Sequence, residues 1–161
     1  MNHSNKWAWL AGIIDGDGSI KVGRTHQRGY TGYQLSVSIC QRGEARIRQL
    51  HAIVGCGTVV PSDRQRAYWQ WSVNGHDALN ILRHVQSHLI WKTDECDIAL
   101  QWPVGLGVPT VPGRRGWVSL PSWMHQARFW IYLRLRFLHR PQSNLGLDAE
   151  SESPSAALGG I

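Results

Sequence analysis

The sequence predicts an α+β fold with the element order αββαββα, in which four antiparallel strands form one sheet with helices on one of its faces. Two observations support this prediction. Segments whose apolar residues alternate with polar ones occur as two pairs, and segments with apolar residues at helical spacing separate these pairs. The length of 161 residues suits one domain, assigned to residues 1–140, and the composition of residues 141–161 predicts a disordered tail.

The first element is predicted to be an apolar helix that ends in a glycine-rich acidic segment. Residues 10–18 have the sequence Leu-Ala-Gly-Ile-Ile-Asp-Gly-Asp-Gly. Ala8, Gly12 and Gly16 recur every fourth residue and therefore lie on one face of the helix. Because glycine inside a helix costs about 1 kcal/mol relative to alanine, this smooth strip indicates a surface against which a second backbone packs.

Two pairs of alternating segments predict two β-hairpins. The first pair spans residues 19–26 and 34–40, with a turn at 28–32 between them. The second pair spans residues 58–60 and 68–73, with a turn at 61–67. We therefore expect two hairpins that together make the four-stranded sheet.

Alternation also predicts which side chains face the core. In the second strand the core-facing residues are the apolar ones, Leu35, Val37 and Ile39. In the fourth strand the core face is assigned to Trp69, Trp71 and Val73. A slip of one residue, or a bulge, would exchange the two faces.

The helical segments after the first are predicted at residues 42–54, 75–89, 93–102 and 123–139. In the last of these helices Trp130, Ile131 and Leu138 are expected to face inward. The segment 103–121, rich in glycine and proline, is predicted to be a long loop.

The charge of the chain indicates a polyanionic partner. The formal net charge is +6, and 14 arginines stand against 3 lysines. Arginine offers a planar fork that binds phosphate or guanine through two hydrogen bonds.

The three cysteines, Cys40, Cys56 and Cys96, have no Cys-x-x-Cys spacing and are expected to be reduced thiols. Without an apolar stretch that could span a bilayer, the protein is expected to be soluble and intracellular.

The acidic end of the first helix predicts a cation site. Asp15 and Asp17 alternate with Gly16 and Gly18, so flexible backbone surrounds two hard oxygen ligands. This combination suits Mg²⁺ beside a substrate phosphate.

Residues 10–18 resemble the signature of the LAGLIDADG homing endonucleases and depart from it only at Ile13 and Gly16. The resemblance covers about residues 5–138 and implies a saddle-like sheet with the same αββαββα order. The motif occurs once. Family members with one motif are homodimers whose motif helices pack at a two-fold axis, so the resemblance implies a homodimer. Its interface would contain four residues of the first helix: Ala8, Gly12, Asp15 and Gly16.

The resemblance further implies an endonuclease that hydrolyses both strands of a long pseudo-palindromic DNA site. It assigns Asp17 as the metal ligand, helped by the Gly16 carbonyl, and Asp15 as a structural residue that holds the helix end. Gln41 matches a glutamine that organises the attacking water, and Lys92 matches a basic residue near the scissile phosphate. Arg46 is a weaker match to a second basic residue, with Arg42 and Arg48 as alternatives. Mg²⁺ is the implied cofactor, Mn²⁺ is expected to substitute, and Ca²⁺ is expected to bind without turnover.

The uncovered face of the sheet is expected to bind double-stranded DNA. Ten polar or basic residues are placed in the major groove: Lys21, Arg24, Gln27, Gln34, Ser36, Ser38, Arg64, Arg66, Tyr68 and Gln70. Arg114 and Arg115 on the long loop are expected to contact phosphates.

Two other functions compete with this one. The first is a nucleic-acid-binding protein on the same scaffold that does not cleave, such as an intron maturase or a regulator. The second is a small metal-dependent hydrolase of another phosphate ester. Asp17, Gln41 and Lys92 favour cleavage, because a protein that only binds needs no acid at the axis.

Overall fold

The structure is a computed structural model and describes residues 3–27, 30–63, 65–104 and 121–139. Its elements are α1 (His3–Asp17), β1 (Gly18–Gln27), β2 (Tyr30–Arg42), α2 (Glu44–Val54), β3 (Thr58–Asp63), β4 (Tyr68–Asn74), α3 (Gly75–Val85), α4 (Thr93–Leu100) and α5 (Ser122–Leu138). A short 3₁₀ helix, Gln86–His88, follows α3. The predicted αββαββα order is confirmed, and α4 and α5 follow it. In the described ranges, no helix combines the length and apolar character that crossing a bilayer requires.

The four strands form one antiparallel sheet in the order β1-β2-β4-β3. The β1–β2 hairpin pairs Gly18 with Ile39 at one end and Gln27 with Tyr30 at the other. β2 is longer than predicted because its polar ends continue to pair with β1 and β4 beyond the apolar alternation. β3 likewise extends to Asp63, past a register shift between Pro61 and Asp63.

The core lies between one face of this sheet and the helices. The sheet contributes seven buried side chains: Ile20, Val22, Leu35, Val37, Ile39, Trp71 and Val73. Trp71 is fully buried, and its indole Nε1 donates a hydrogen bond to the Cys56 carbonyl at 2.9 Å. Trp69 is half-buried against the core. The predicted faces of β4 are therefore confirmed, and the bulge in β3 does not exchange them.

No loop separates α1 from β1. The helix ends at Asp17, and the strand begins at Gly18. A Cβ atom at residue 18 would lie 2.6 Å from the Cα of Ile14. Only glycine, which has no Cβ, fits at this position, because the first residue of β1 lies against the backbone of the last turn of α1.

The last helix differs from the prediction in the face that it buries. Met124, Ile131 and Leu135 are buried, whereas Trp130 and Leu138 are 62% and 42% exposed. The prediction that Trp130 and Leu138 face inward is wrong. Positions 124, 131 and 135 share one helical face, and position 130 lies about 100° away from Ile131. Position 138 lies on the same side as 131 but is the last residue of the helix.

We expect Gly18→Ala to destabilise the protein by about 1–3 kcal/mol, the usual cost of overpacking, because backbone atoms of Ile14 occupy the required space. Urea unfolding measures this change. Gly23→Ala on the same strand is the control, since its Cβ would meet only the Gln34 carbonyl oxygen, at 3.8 Å. Equal unfolding midpoints for the two variants would contradict the proposed constraint at Gly18.

Candidate active site and nucleic-acid interface

Asp17 and Gln41 are in direct contact. Asp17 is the last residue of α1, and its side chain is exposed. The pairing of Gly18 with Ile39 brings the end of β2 beside the end of α1. Gln41 Nε2 consequently donates a hydrogen bond to Asp17 Oδ2 at 2.6 Å. This bond directs the amide nitrogen to the carboxylate and leaves the Gln41 carbonyl oxygen able to accept a hydrogen bond.

Asp15 joins α1 to a segment that lies far along the chain. Its side chain is 8% exposed. Asp15 Oδ2 accepts the N–H of Ile90 at 2.7 Å, and Oδ1 accepts the N–H groups of Trp91 and Lys92 at 3.3 and 3.0 Å. These residues lie just before α4, where backbone N–H groups lack partners within the helix. We call this arrangement the Asp15 clamp.

The clamp differs from what the sequence predicted for Asp15. The residue was expected to hold the end of its own helix and to lie at a subunit interface. Its carboxylate instead binds backbone 75 to 77 residues away, inside its own chain. The Asp15 carboxylate is thus buried and bonded to backbone, and Asp17 is the exposed carboxylate at the end of α1.

Lys92 is held at the same end of α1. Its side chain is half-buried, and Nζ donates a hydrogen bond to the Asp15 carbonyl oxygen at 2.5 Å. Its backbone N–H belongs to the Asp15 clamp. Gln41 and Lys92 therefore both bond to the last three residues of α1, Gln41 at Asp17 and Lys92 at Asp15.

The three candidate arginines lie near the end of β2 and on α2. Arg42 ends β2, and Arg46 is exposed on α2. Arg48 forms an ion pair with Glu44 at 2.5 Å and lies over the ring of Trp69. Within the described residues, none of the three makes a hydrogen bond or ion pair with Asp17 or Gln41. The alternatives left open by the sequence therefore remain open.

The oxygen atoms at the end of α1 fit a hard divalent cation only in part. Asp17 offers a carboxylate, and Gly16 offers a carbonyl. The described part of the chain contains no group of three or more His, Cys, Asp or Glu residues that could hold a metal ion. Mg²⁺ typically takes one or two protein carboxylates and completes its shell with water and substrate phosphate. The one carboxylate and one carbonyl of this chain fit a site whose remaining ligands are water and substrate phosphate.

The face of the sheet opposite the helices, which we call the open face, is polar at its centre. Cross-strand partners share a face of a sheet, so the register places four hydroxyl side chains in one row across it: Ser19, Ser38, Ser72 and Thr58. We call this set the hydroxyl row. Thr58 Oγ1 and Ser72 Oγ lie 3.2 Å apart, and Ser38 is only 7% exposed. These short side chains occupy the centre of the open face. Ser19 and Thr58 were not among the residues predicted to contact DNA.

Several of the predicted DNA contacts share the open face with the hydroxyl row. Six of the residues predicted to contact DNA lie on the open face: Lys21, Gln34, Ser36, Ser38, Tyr68 and Gln70. Cys40 also lies there, paired with Gln70, and is exposed. Alternation along each strand indicated which residues share this face, and the cross-strand pairs show which of them are neighbours.

Arg24 departs from the predicted set. It pairs with Tyr33, whose ring packs against His125, Phe129 and Tyr132 of α5. Arg24 therefore belongs to the face that the helices cover, because cross-strand partners share a face and Arg24 lies two positions after the buried Val22.

The remaining predicted contacts are on turns or outside the described residues. Arg66 is exposed on the turn before β4, and its Nε lies 3.7 Å from Asp63 Oδ2. Arg64, Arg114 and Arg115 lie outside the described residues, as do the side chain of Gln27 and the predicted tail 141–161.

Ala8, Gly12 and Gly16 form an exposed strip on α1, which we call the glycine strip. A Cβ atom on Gly12 or Gly16 would have no neighbour within 4 Å outside the helix's own backbone. Packing against the described part of the chain therefore does not require glycine at either position. Asp15 is not part of this strip, since its side chain points into the protein.

The three cysteines are free thiols, as predicted. Cys96 is buried, and burial raises the pKa of its thiol to about 12, with smaller contributions from Asp97 and Glu95. Burial and the charge of Asp77 also raise the pKa of Cys56, partly offset by Lys6. Cys40 is the exposed thiol of the three.

The structure is thus that of an α+β protein whose sheet has an uncovered polar face and whose first helix ends in an exposed carboxylate. The chain belongs to the LAGLIDADG endonuclease family, whose family model matches residues 10–94, more than half of the sequence. The resemblance found in the motif and the predicted fold class are both confirmed.

Solved structures of homing endonucleases share this fold. I-CvuI in complex with the I-CreI target is 27% identical, with a TM-score of 0.55 over 62% of this chain and 66% of that chain. I-CvuI in complex with its own target is 26% identical, with a TM-score of 0.56 over 61% and 65% of the two chains. The archaeal intron-encoded I-Vdi141I, complexed with DNA, is 18% identical and shares the fold, with a TM-score of 0.53 over 61% and 66%. The chain thus spans slightly less than two thirds of the length of these proteins. No curated protein matches it by sequence.

We expect Asp15→Asn to destabilise the protein by about 1.5–3 kcal/mol, the usual value of hydrogen bonds to a charged group. An amide would present an N–H group to the backbone N–H donors of residues 90–92. Urea unfolding measures the loss, and hydrogen exchange should show lost protection at these three amides. The control is Asp17→Asn, which alters an exposed carboxylate. If the two variants were equally stable, the clamp would not contribute to folding.

We expect a disulfide reagent such as DTNB to modify Cys40 rapidly at pH 8 and to leave Cys96 unmodified in the folded protein. The thiolate is the reacting form, and a pKa of about 12 leaves roughly one part in ten thousand of Cys96 as thiolate at pH 8. Reaction kinetics followed by absorbance measure the difference, and Cys40→Ser should remove the fast phase. A fast phase that persists in Cys40→Ser would contradict these exposures.

Proposed function

We propose that the protein is a site-specific DNA endonuclease that uses a divalent cation and cuts both strands of a long pseudo-palindromic site as a homodimer. One observation carries this proposal. In a chain of the LAGLIDADG family, the exposed Asp17 carboxylate lies at the end of α1, with Gln41 bonded to it and Lys92 bonded two residues before it. Hydrolysis of a phosphodiester needs an oriented water, neutralised charge on the phosphoryl group and a stabilised leaving oxygen.

Asp17 and the Gly16 carbonyl would hold Mg²⁺, which supplies Lewis-acid stabilisation of the phosphoryl charge and lowers the pKa of a bound water. We expect Mn²⁺ to substitute and Ca²⁺ to bind without turnover. What supports the use of a divalent cation is that I-CvuI binds DNA in the presence of Mg, with the DNA not cleaved, and binds its target in the presence of Ca.

Gln41 and Lys92 would act on the water and on the phosphate. The Gln41 amide nitrogen donates to Asp17, so its carbonyl oxygen is free to accept a hydrogen bond from the attacking water and orient it. The Lys92 ammonium uses one donor on the Asp15 carbonyl, and its other two can stabilise negative charge on phosphoryl oxygens. The water oxygen would bond to phosphorus while the bond to the leaving oxygen breaks. The water proton passes to solvent, and the leaving oxygen takes up a proton from solvent to become a hydroxyl.

Two features of the chain support a homodimer. The glycine strip has no packing partner within the described residues that would explain its glycines. Among the described residues, the Asp17 site offers one carboxylate and one carbonyl, so ligands from a second copy could join water and phosphate in completing the metal shell. Two copies packed through the strip would bring two Asp17 carboxylates together, each near one strand of a duplex.

The open face would bind the DNA. The short side chains of the hydroxyl row lie at the centre of this face, and the longer side chains of Lys21, Gln34 and Gln70 lie on either side of it. Lysine and glutamine side chains reach base edges in a major groove, and serine hydroxyls bind mainly through shared water. The net charge of +6 would attract the phosphate backbone.

Cleavage of a randomised duplex library in Mg²⁺ tests the activity. We expect Asp17→Asn to keep DNA binding and to lose at least about 10²–10³-fold in cleavage rate, as is typical when a key charge-stabilising group is removed. The control is Asp94→Asn, which makes the same chemical change on the exposed start of α4. An Asp17→Asn variant that cuts as fast as wild type would overturn the catalytic assignment. A wild-type protein that binds and never cuts would favour the non-cleaving alternative.

Protection of Cys40 by DNA tests the binding face. We expect a cleavable duplex in Ca²⁺ to slow DTNB modification of Cys40 at least tenfold, because Cys40 is exposed on the open face. The control is Gln126→Cys in a Cys40→Ser background, which places an exposed thiol on α5 behind the sheet. Equal protection of both thiols, or of neither, would contradict DNA binding on the open face.

A further inference from the structure

One row of the open face places an amide between two side chains of low polarity. Gln70 of β4 pairs with Cys40 of β2 on one side and with Val60 of β3 on the other. We call these three residues the Gln70 row. Because the next residue of β4, Trp71, is buried in the core, Gln70 and its two cross-strand partners face away from the helices.

The side chains of the Gln70 row are accessible to a ligand. Cys40 is exposed, Val60 is 46% exposed and Gln70 is half-buried. Within the described residues, the Gln70 amide has no hydrogen-bond partner, and its two neighbours offer at most a weak thiol group. Gln70 can therefore use both its carbonyl oxygen and its NH₂ group on a molecule bound to the open face.

The two rows next to the Gln70 row are polar throughout. The hydroxyl row carries a hydroxyl group at each position, and the row beyond it consists of Lys21, Ser36 and Asn74. Val60 thus provides apolar surface beside a part of the face that is otherwise polar. The Gln70 row combines a hydrogen-bonding amide with an apolar contact, and these rows do not.

An adenine–thymine pair matches this combination. In the major groove adenine presents the N7 acceptor beside the N6 donor, and a glutamine amide bonds both at once. Thymine adds a methyl group to the same edge of the pair. Cβ atoms of cross-strand partners lie about 4.5–5.5 Å apart, so Gln70 and Val60 can contact the same base pair.

A guanine–cytosine pair matches the row less well. Guanine presents two acceptors, N7 and O6. The carbonyl oxygen of an amide bound in the same way would then face a second acceptor and lose its water without a replacement, which costs binding free energy. Cytosine also has no methyl group to pack against Val60.

We propose that the Gln70 row selects an adenine–thymine pair in each half of the DNA target, with the Gln70 amide bonded to adenine and the thymine methyl group packed against Val60. The inference rests on the proposed function, because it requires DNA on the open face. It adds the identity of one base pair and the two side chains that determine it.

Selection of binding sites from a randomised duplex library in Ca²⁺ tests the amide contact. Gln70→Glu replaces the amide by a carboxylate, which accepts a hydrogen bond from cytosine N4. Wild type should select adenine at one position of each half-site, and Gln70→Glu should change that position to cytosine. We expect the ratio of the two binding constants to change at least about fivefold, the lower end for a bidentate base contact.

The matched control is Gln34→Glu, which makes the same chemical change on β2, where the cross-strand partner is Gly23. This control should leave adenine at the position that Gln70→Glu changes. Urea unfolding checks that both variants fold. If Gln70→Glu does not, Gln70→Met replaces it and should lose the preference for adenine, because methionine cannot bond N6 and N7 together.

Duplexes that contain deoxyuridine test the methyl contact, since deoxyuridine is thymidine without its methyl group. Replacing the thymine of the selected pair in one half-site should weaken wild-type binding about fourfold, the value of one buried methyl group. The same replacement should have no measurable effect on Val60→Ser. In the control, Cys40→Ser, the effect of the methyl group should persist.

The outcomes separate this inference from the proposed function. A wild-type protein that selects no DNA sequence removes the DNA site on the open face, and this inference with it. Sequence-specific binding with the same base preferences in wild type and Gln70→Glu overturns the inference alone. A changed position that wild type fills with another base pair also overturns it. A methyl effect that is absent from wild type, or that persists in Val60→Ser, overturns the contact assigned to Val60.

Discussion

The carboxylate of Asp15 is the contact on which the arrangement of the site depends most. It accepts three consecutive N–H groups from residues 90–92 and so fixes where the chain passes the end of α1. Hydrogen bonds to a charged group contribute about 1.5–3 kcal/mol, so the carboxylate favours this path of the chain. Gln41 and Lys92 come from distant parts of the sequence, yet both bond to the same turn of helix. The second acid of the motif, Asp17, is exposed, whereas the first is buried.

Helix α1 divides its residues among three environments. Leu10, Ala11 and Ile14 are buried in the core, whereas the glycine strip lies on the outer face. The carboxylates occupy the last turn, where the backbone changes from helix to strand. Helical periodicity makes this division possible within the ten residues from Ala8 to Asp17. A substitution in the buried set affects folding, whereas one in the glycine strip or at Asp17 tests the proposed association or chemistry.

Much of the fold could be predicted because periodicity is a local property. Alternation gave the two hairpins and placed Trp71 and Val73 in the core, and the motif placed Asp17 at a helix end. Contacts between distant segments could not be predicted in the same way. The partners of Asp15 lie 75 or more residues away, and the face of Arg24 depends on its pairing with Tyr33. The exposure of Trp130 likewise follows from which stripe of α5 meets the rest of the protein.

The direct junction of α1 and β1 has a mechanical consequence. Asp17 ends the helix, Gly18 begins the strand, and Gly18 lies against the backbone of Ile14 with no room for adjustment. The strand and the helix therefore move together, because no loop residue lies between them. If the open face binds DNA as proposed, a duplex whose curvature does not match the sheet would displace the end of α1 and with it Asp17. Selectivity would then arise partly from the shape and bendability of the nucleic acid, at base pairs that no side chain touches.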